Sequence, residues 1–124
     1  MSFSVSDLPA LTPETFWAIL EDKIPDETVN QMLWYHLGYR YDEAAQQWDV
    51  SQVDVLWTET YPEPPDFIGS RPATIKLTRS IPKENKQLLK SELSFGGYTV
   101  DELNPRRTRR ATAVNWFLNY LQQA

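Results

Sequence analysis

Residues 105–117 read PRRTRRATAVNWF, and this stretch places four arginines within five residues at the predicted start of a long helix. Asn104 is a typical capping residue and Pro105 suits the first helical position, so we expect the helix to begin there and to run to about Leu121. The amino end of a helix carries partial positive charge, which disfavours cations. The pattern therefore predicts an anion close to these arginines.

The predicted helix has an apolar side, and all four arginines fall on it. At about 100° per residue, they share an arc with Val114 and Phe117. The opposite arc holds uncharged polar side chains: Thr108, Thr112, Asn115, Asn119 and Gln122. An arginine at the edge of a core needs a partner, because an unpaired buried charge is too costly to keep.

Two kinds of anion satisfy this requirement. One is a carboxylate of the chain itself, and the other is an external phosphate, a carboxylate-bearing partner or an RNA backbone, which a guanidinium holds bidentately. The residues predicted to bind the anion or partner are Arg106, Arg107, Arg109, Arg110 and, as an extension of the surface, Arg79.

The charge distribution leaves both readings open. The net charge is -5, but residues 1–66 carry -11 and residues 67–124 carry +6. Such a split is typical of a basic face for an anionic partner, and equally of two halves of one fold that neutralise each other. The chain has no Cys, no basic leader and no long apolar run, so we expect a soluble, cytoplasmic protein that does not enter the membrane.

Two helices are predicted upstream. Thr12 and Pro13 start the first, which has an apolar stripe of Phe16, Ile19, Leu20 and Ile24. Asp26 caps the second, whose stripe is Val29, Met32, Leu33 and Leu37 and which ends at Gly38. The short connection between them predicts a helical hairpin.

The spacing of apolar residues changes in the middle of the chain. Residues 39–41 and 47–49 favour a small β-hairpin, 51–61 a short helix, and the prolines of 61–72 a loop. Residues 73–81 alternate as a strand does, and we favour a strand over a helix capped by Ser70. A helix is then expected from Pro82 to Gly96, followed by an extended piece over 98–103.

Other candidate chemistry is weaker. His36 stands alone and is expected to be a hydrogen-bonding group at the edge of the core. Asp26 is explained by capping and Asp22 and Glu27 by solvation. The aromatic residues from Trp34 to Tyr61 are expected in the core, the alternative being a stacking surface for bases or a flat ligand.

The segments RPATIKLTRSIP (71–82) and TRRATAVNW (108–116) resemble an uncharacterised family of cyanobacteria and plant plastids, domain of unknown function eighteen twenty-three. The resemblance extends from about Leu8 to Tyr120. It implies an oxygenic phototroph as the source and supplies no catalytic residues.

The sequence thus predicts a single helix-rich α+β domain over 1–124, with residues 1–10 flexible, an N-terminal helical hairpin, a small sheet and a long C-terminal helix. The expected function is a non-enzymatic accessory or interaction domain with no cofactor or metal and a protein as the expected partner. Nucleic-acid binding is one alternative, opposed by a pI near 4.8. An enzyme acting on a small anion is the other.

Overall fold

The computed structural model describes residues 7–123. Within them lie six helices and one two-stranded antiparallel sheet, an α+β domain as predicted. The expectation that residues 1–10 are flexible concerns mainly residues 1–6, which lie outside the described residues. The elements in chain order are α1 (Pro13–Leu20), α2 (Asp26–Leu37), β1 (Arg40–Asp42), β2 (Gln47–Asp49), α3 (Val55–Thr58), α4 (Arg71–Ser80), a 3-10 turn (Lys83–Asn85), α5 (Leu88–Leu93) and α6 (Pro105–Gln123).

The predicted helical hairpin is confirmed. The Oγ1 of Thr12 accepts a hydrogen bond from the backbone N–H of Thr15, so α1 begins where its sequence caps it. The chain leaves α1 through Asp22 at a φ of 62°, with Lys23 N–H bonded to the Ala18 carbonyl. This is the Schellman arrangement of a helix end, in which a residue with left-handed backbone follows the cap.

Gly38 ends α2 in the predicted left-handed conformation, with a φ of 110°. A Cβ at this position would lie 2.4 Å from the Gln52 carbonyl oxygen, so a side chain is excluded by contact as well as by backbone strain. The sheet follows directly as the predicted hairpin, with Tyr41 opposite Trp48.

The predicted strand over 73–81 is wrong, because this segment belongs to α4. The Ser70 hydroxyl caps the helix at the Ala73 N–H, and Pro72 lies in the first turn. Ala73 and Leu77 are buried four residues apart, a spacing that fits both a helix face and every second residue of a strand. A helix satisfies its backbone internally, whereas a strand needs a neighbour, and the described sheet consists of β1 and β2 alone.

The continuous helix predicted from Pro82 is also wrong. The segment is divided into a 3-10 turn and α5, and Ser94 ends α5 at a φ of 56°. Within the extended piece predicted over 98–103, residues 100–102 form a turn instead, closed by hydrogen bonds from the N–H groups of Glu102 and Leu103 to the Thr99 carbonyl.

Helix α6 lies at the centre and contacts α1, α2, α4 and α5. Its uncharged polar side is not solvated throughout, because Asn115 and Asn119 are buried. Asn115 accepts a hydrogen bond from the Leu89 N–H and donates to the Asn85 carbonyl, while Asn119 accepts from the Asn85 side chain. These amides attach the divided 3-10 and α5 segment to α6.

Candidate functional site

Arg110 is the most deeply buried of the four arginines in residues 106–110. Its side chain is fully buried, and its guanidinium donates to the carbonyls of Ile19 and Ile24 and to the Asp26 carboxylate, with Nη1 2.7 Å from Oδ1. The Ile19 carbonyl lies in the last turn of α1, and the Ile24 carbonyl lies just before α2. Arg110 therefore joins the end of α1 and the start of α2 to α6.

Arg106 lies further out and holds two carboxylates. Its Nε is 2.6 Å from Asp26 Oδ2 and its Nη2 is 2.7 Å from Asp22 Oδ1. The hydrogen bonds from Arg106 lower the pKa of both aspartates below the ordinary range, and the same contacts raise the pKa of Arg106. Both carboxylates are therefore ionised at neutral pH.

This arrangement corrects the roles predicted for the two aspartates. Asp26 is the first residue of α2 rather than its cap, and the capping position is held by Pro25, which makes no side-chain hydrogen bond. The Asp26 carboxylate accepts hydrogen bonds from Arg106 and Arg110, and the Asp22 carboxylate accepts hydrogen bonds from Arg106. A carboxylate in the first turn of a helix is also favoured by the helix dipole.

Arg107 contacts the loop before α6. Its guanidinium lies 5.7 Å from the ring centroid of Tyr98, within cation–π range, and its Nη1 is 3.8 Å from Glu102. Tyr98 in turn donates its hydroxyl to the Leu20 carbonyl. Arg106, Arg107 and Arg110 are thus all matched by groups of this chain, and we call these three the internal arginines.

Arg109 and Arg79 are placed differently. Arg109 donates to the Ile68 carbonyl, Arg79 is exposed at the end of α4, and neither forms an ion pair with any residue of 7–123. They line one groove between α4 and the start of α6, together with Arg71. We call Arg71, Arg79 and Arg109 the groove arginines.

Arg71 was not among the predicted site residues, because residues 61–72 were expected to form a loop. The alternative helix capped by Ser70 would have indicated its membership, since Arg71, Ile75 and Arg79 then recur at intervals of four residues on one helix face.

The groove has a volume of about 740 Å³ and a mixed lining. Ile75, Leu103 and Pro105 supply apolar surface, and Leu103 is 59% exposed. The lining also contains four threonines, each of whose hydroxyls donates to a backbone carbonyl: Thr74, Thr78, Thr108 and Thr112. No carboxylate occurs among the described residues that line it, so an anion entering the groove meets no negatively charged side chain of the lining.

The expectation that the aromatic residues from Trp34 to Tyr61 lie in the core is confirmed in part, since two are buried, three are partly buried against the core, and Tyr41 is exposed. Tyr39 and Trp57 are buried, and Trp34 packs edge-to-face against Trp48. His36 is half-buried and contacts the rings of Phe117 and Tyr120. Burial, with a smaller contribution from Arg40, lowers the pKa of His36, so the ring is neutral at pH 7.

Neither a metal-binding cluster nor a membrane-spanning helix occurs in the described part of the chain. Residues 7–123 contain no cluster of three or more His, Asp and Glu side chains arranged to hold a metal ion. None of the helices in this range combines the length and apolar composition needed to cross a bilayer.

Comparison with known proteins gives a family and a fold. Among curated proteins, no match to this chain reaches significance. A protein solved by solution NMR is 52% identical over 100% of both chains, with a TM-score of 0.78. The family model described as Domain of unknown function (DUF1823) matches residues 10–122. The chain therefore belongs to the DUF1823 family.

Proposed function

We propose that this protein is a non-enzymatic interaction domain of an oxygenic phototroph, acting in the cytoplasm, which binds an acidic and partly apolar segment of a partner protein in the groove between α4 and α6. The observation that supports this proposal most directly is the division of the arginines. Of the six arginines in residues 67–124, three form ion pairs with carboxylates of the chain, and three form none with a described residue and share a groove whose described lining contains no carboxylate.

The lining favours a polypeptide ligand. Ile75, Leu103 and Pro105 offer contact area to apolar side chains, and the groove arginines match carboxylates in the planar, bidentate manner that guanidinium groups allow. Arginine is also enriched among the residues that dominate protein interfaces. Nucleic acid is a poorer match, because the net charge of -5 opposes the long-range attraction of a polyanion.

A selection from a library of short random peptides tests the proposal. The wild-type protein and the variant R71E/R79E/R109E are used as parallel baits, with circular dichroism to verify that both are folded. We expect the wild type to enrich peptides that combine Asp or Glu with apolar residues, and the variant to lose them. Enrichment without acidic residues, equal enrichment by both baits, or no enrichment at all would contradict the proposal.

A further inference from the structure

Beside the groove lies a second depression, formed between α3 and α4. Its volume is about 470 Å³, and Leu56 and Trp57 of α3 face Pro72 and Lys76 of α4 across it. Ile75 and Arg79 line both this depression and the groove. The two concave surfaces are therefore continuous across one ridge of α4.

We infer that the partner segment, if it binds in the groove as proposed above, continues across Ile75 into the depression between α3 and α4. Its acidic part lies against the groove arginines, and an apolar part lies against Leu56. The inference thus rests on the proposed function and extends it to a second contact surface on α3.

The geometry of α4 supports a single occupant for both surfaces. Arg71, Ile75 and Arg79 follow one another at intervals of four residues, which places them in one row with about 12 Å of helix rise between the two arginines. Ile75 is half-buried and lies between the charges. A segment whose carboxylates flank an apolar residue matches this row.

The distribution of charge fixes which part of the segment lies where. The second depression contains Lys76, whose Nζ is 5.3 Å from the Trp57 ring centroid, and Arg79, but no described carboxylate. Outside it, however, α3 is flanked by Asp54 and Glu59. These carboxylates repel an acidic group approaching the α3 side, so the apolar part of the segment belongs there.

The exposed residues of α3 agree with this order. Leu56 is 65% exposed and lines the depression, while the neighbouring Val55 is 62% exposed and does not line it. Leu56 therefore offers apolar area to a ligand at a position where the fold itself does not bury it. Val55 is a matched control, since it is adjacent, apolar and equally exposed.

The test uses a peptide selected on the wild-type protein as the probe and the ¹⁵N-labelled full-length chain as the target. A relative with this fold has been solved by solution NMR, so amide shifts are a practical readout. We expect the peptide to shift the NMR signals of residues on both sides of α4, including the Leu56 amide and the Trp57 indole. Leu56→Asp should weaken binding roughly tenfold, and Val55→Asp should leave it within about twofold of wild type.

The outcomes separate the two proposals. Shifts confined to the groove, with L56D binding as tightly as wild type, would overturn the extension to α3 and leave the proposed function standing. Equal losses in L56D and V55D would also overturn it, because a general effect of charge on α3 would then explain both. Binding that survives R71E/R79E/R109E would overturn both proposals.

Discussion

Arg110 on α6 and Asp26 at the start of α2 form an ion pair across 84 residues of sequence, with Nη1 2.7 Å from Oδ1 and the arginine side chain fully buried. The same guanidinium binds the carbonyls of Ile19 and Ile24. Removing Arg110 leaves the carbonyls without these hydrogen bonds, whereas the Asp26 side chain is 35% exposed and keeps its hydrogen bonds to Arg106.

Arg110→Met should therefore lower the free energy of unfolding by about 1–3 kcal/mol. Arg79→Met is the control, because Arg79 is exposed and makes no ion pair with a described residue, and its cost should be about 0.5 kcal/mol or less. Urea unfolding followed by Trp fluorescence measures both. Similar stabilities of the two variants would show that Arg110 does not hold the helices together.

The ion pairs of Arg106 should appear as acid sensitivity. The pKa values of Asp22 and Asp26 are lower in the folded state than in the unfolded chain, so their contribution is present above the unfolded value and is lost as the pH falls through the folded value. We expect the contribution of these two aspartates to stability to be level above about pH 5 and to fall below about pH 4. Arg106→Met should reduce this loss of stability at acidic pH. If urea titrations show the same loss of stability with falling pH for the variant and the wild type, the prediction is refuted.

His36 should add a second pH dependence near neutrality. Burial lowers its pKa in the folded state, so the unfolded imidazole takes up a proton first and stability should decline as the pH falls through about 6.5. The ring contacts Tyr35, Phe117 and Tyr120, and the charge of Arg40 acts in the same direction as burial. His36→Gln should remove the slope between about pH 7.5 and 5.5, whatever its effect on absolute stability. An unchanged slope would rule out His36 as its source.

Gly38 and Gly97 form a matched pair for the backbone. Both have positive φ, at 110° and 106°, but only at Gly38 would a Cβ collide with backbone, while the space around Gly97 is open. Gly97→Ala should cost about 1–2 kcal/mol from backbone strain alone, and Gly38→Ala should cost more. Thermal unfolding of the two variants measures the difference. Equal costs would show that the contact with Gln52 is easily relieved.

The helices and the small sheet were largely predictable because local signals define them. Thr12 and Pro13, Gly38, and Asn104 with Pro105 each mark a helix boundary within a few residues of sequence. Residues 73–81 were misassigned because Ala73 and Leu77 satisfy both periodicities, and only the cap at Ser70 separates them. A local pattern cannot decide between two structures that bury the same side chains.

The arginines show a different limit. The sequence predicted that they need anions, but which arginine meets which carboxylate depends on how α1, α2 and α6 pack, as the contact between Arg110 and Asp26 illustrates. Arg71 was missed for the same reason, because its membership of the groove requires α4 to be a helix and to lie beside α6. Candidate sites that span distant segments follow from tertiary structure.

We propose that the six arginines of residues 67–124 divide into an internal set that holds the fold and a groove set that binds a partner. Isothermal titration of the selected acidic peptide into wild type and R71Q/R79Q/R109Q, with a thermal unfolding curve for each protein, tests it most directly. We predict that the triple variant loses at least about 100-fold in affinity and unfolds within a few degrees of wild type. Retained affinity, or a variant that loses binding only because it no longer folds, would contradict the claim.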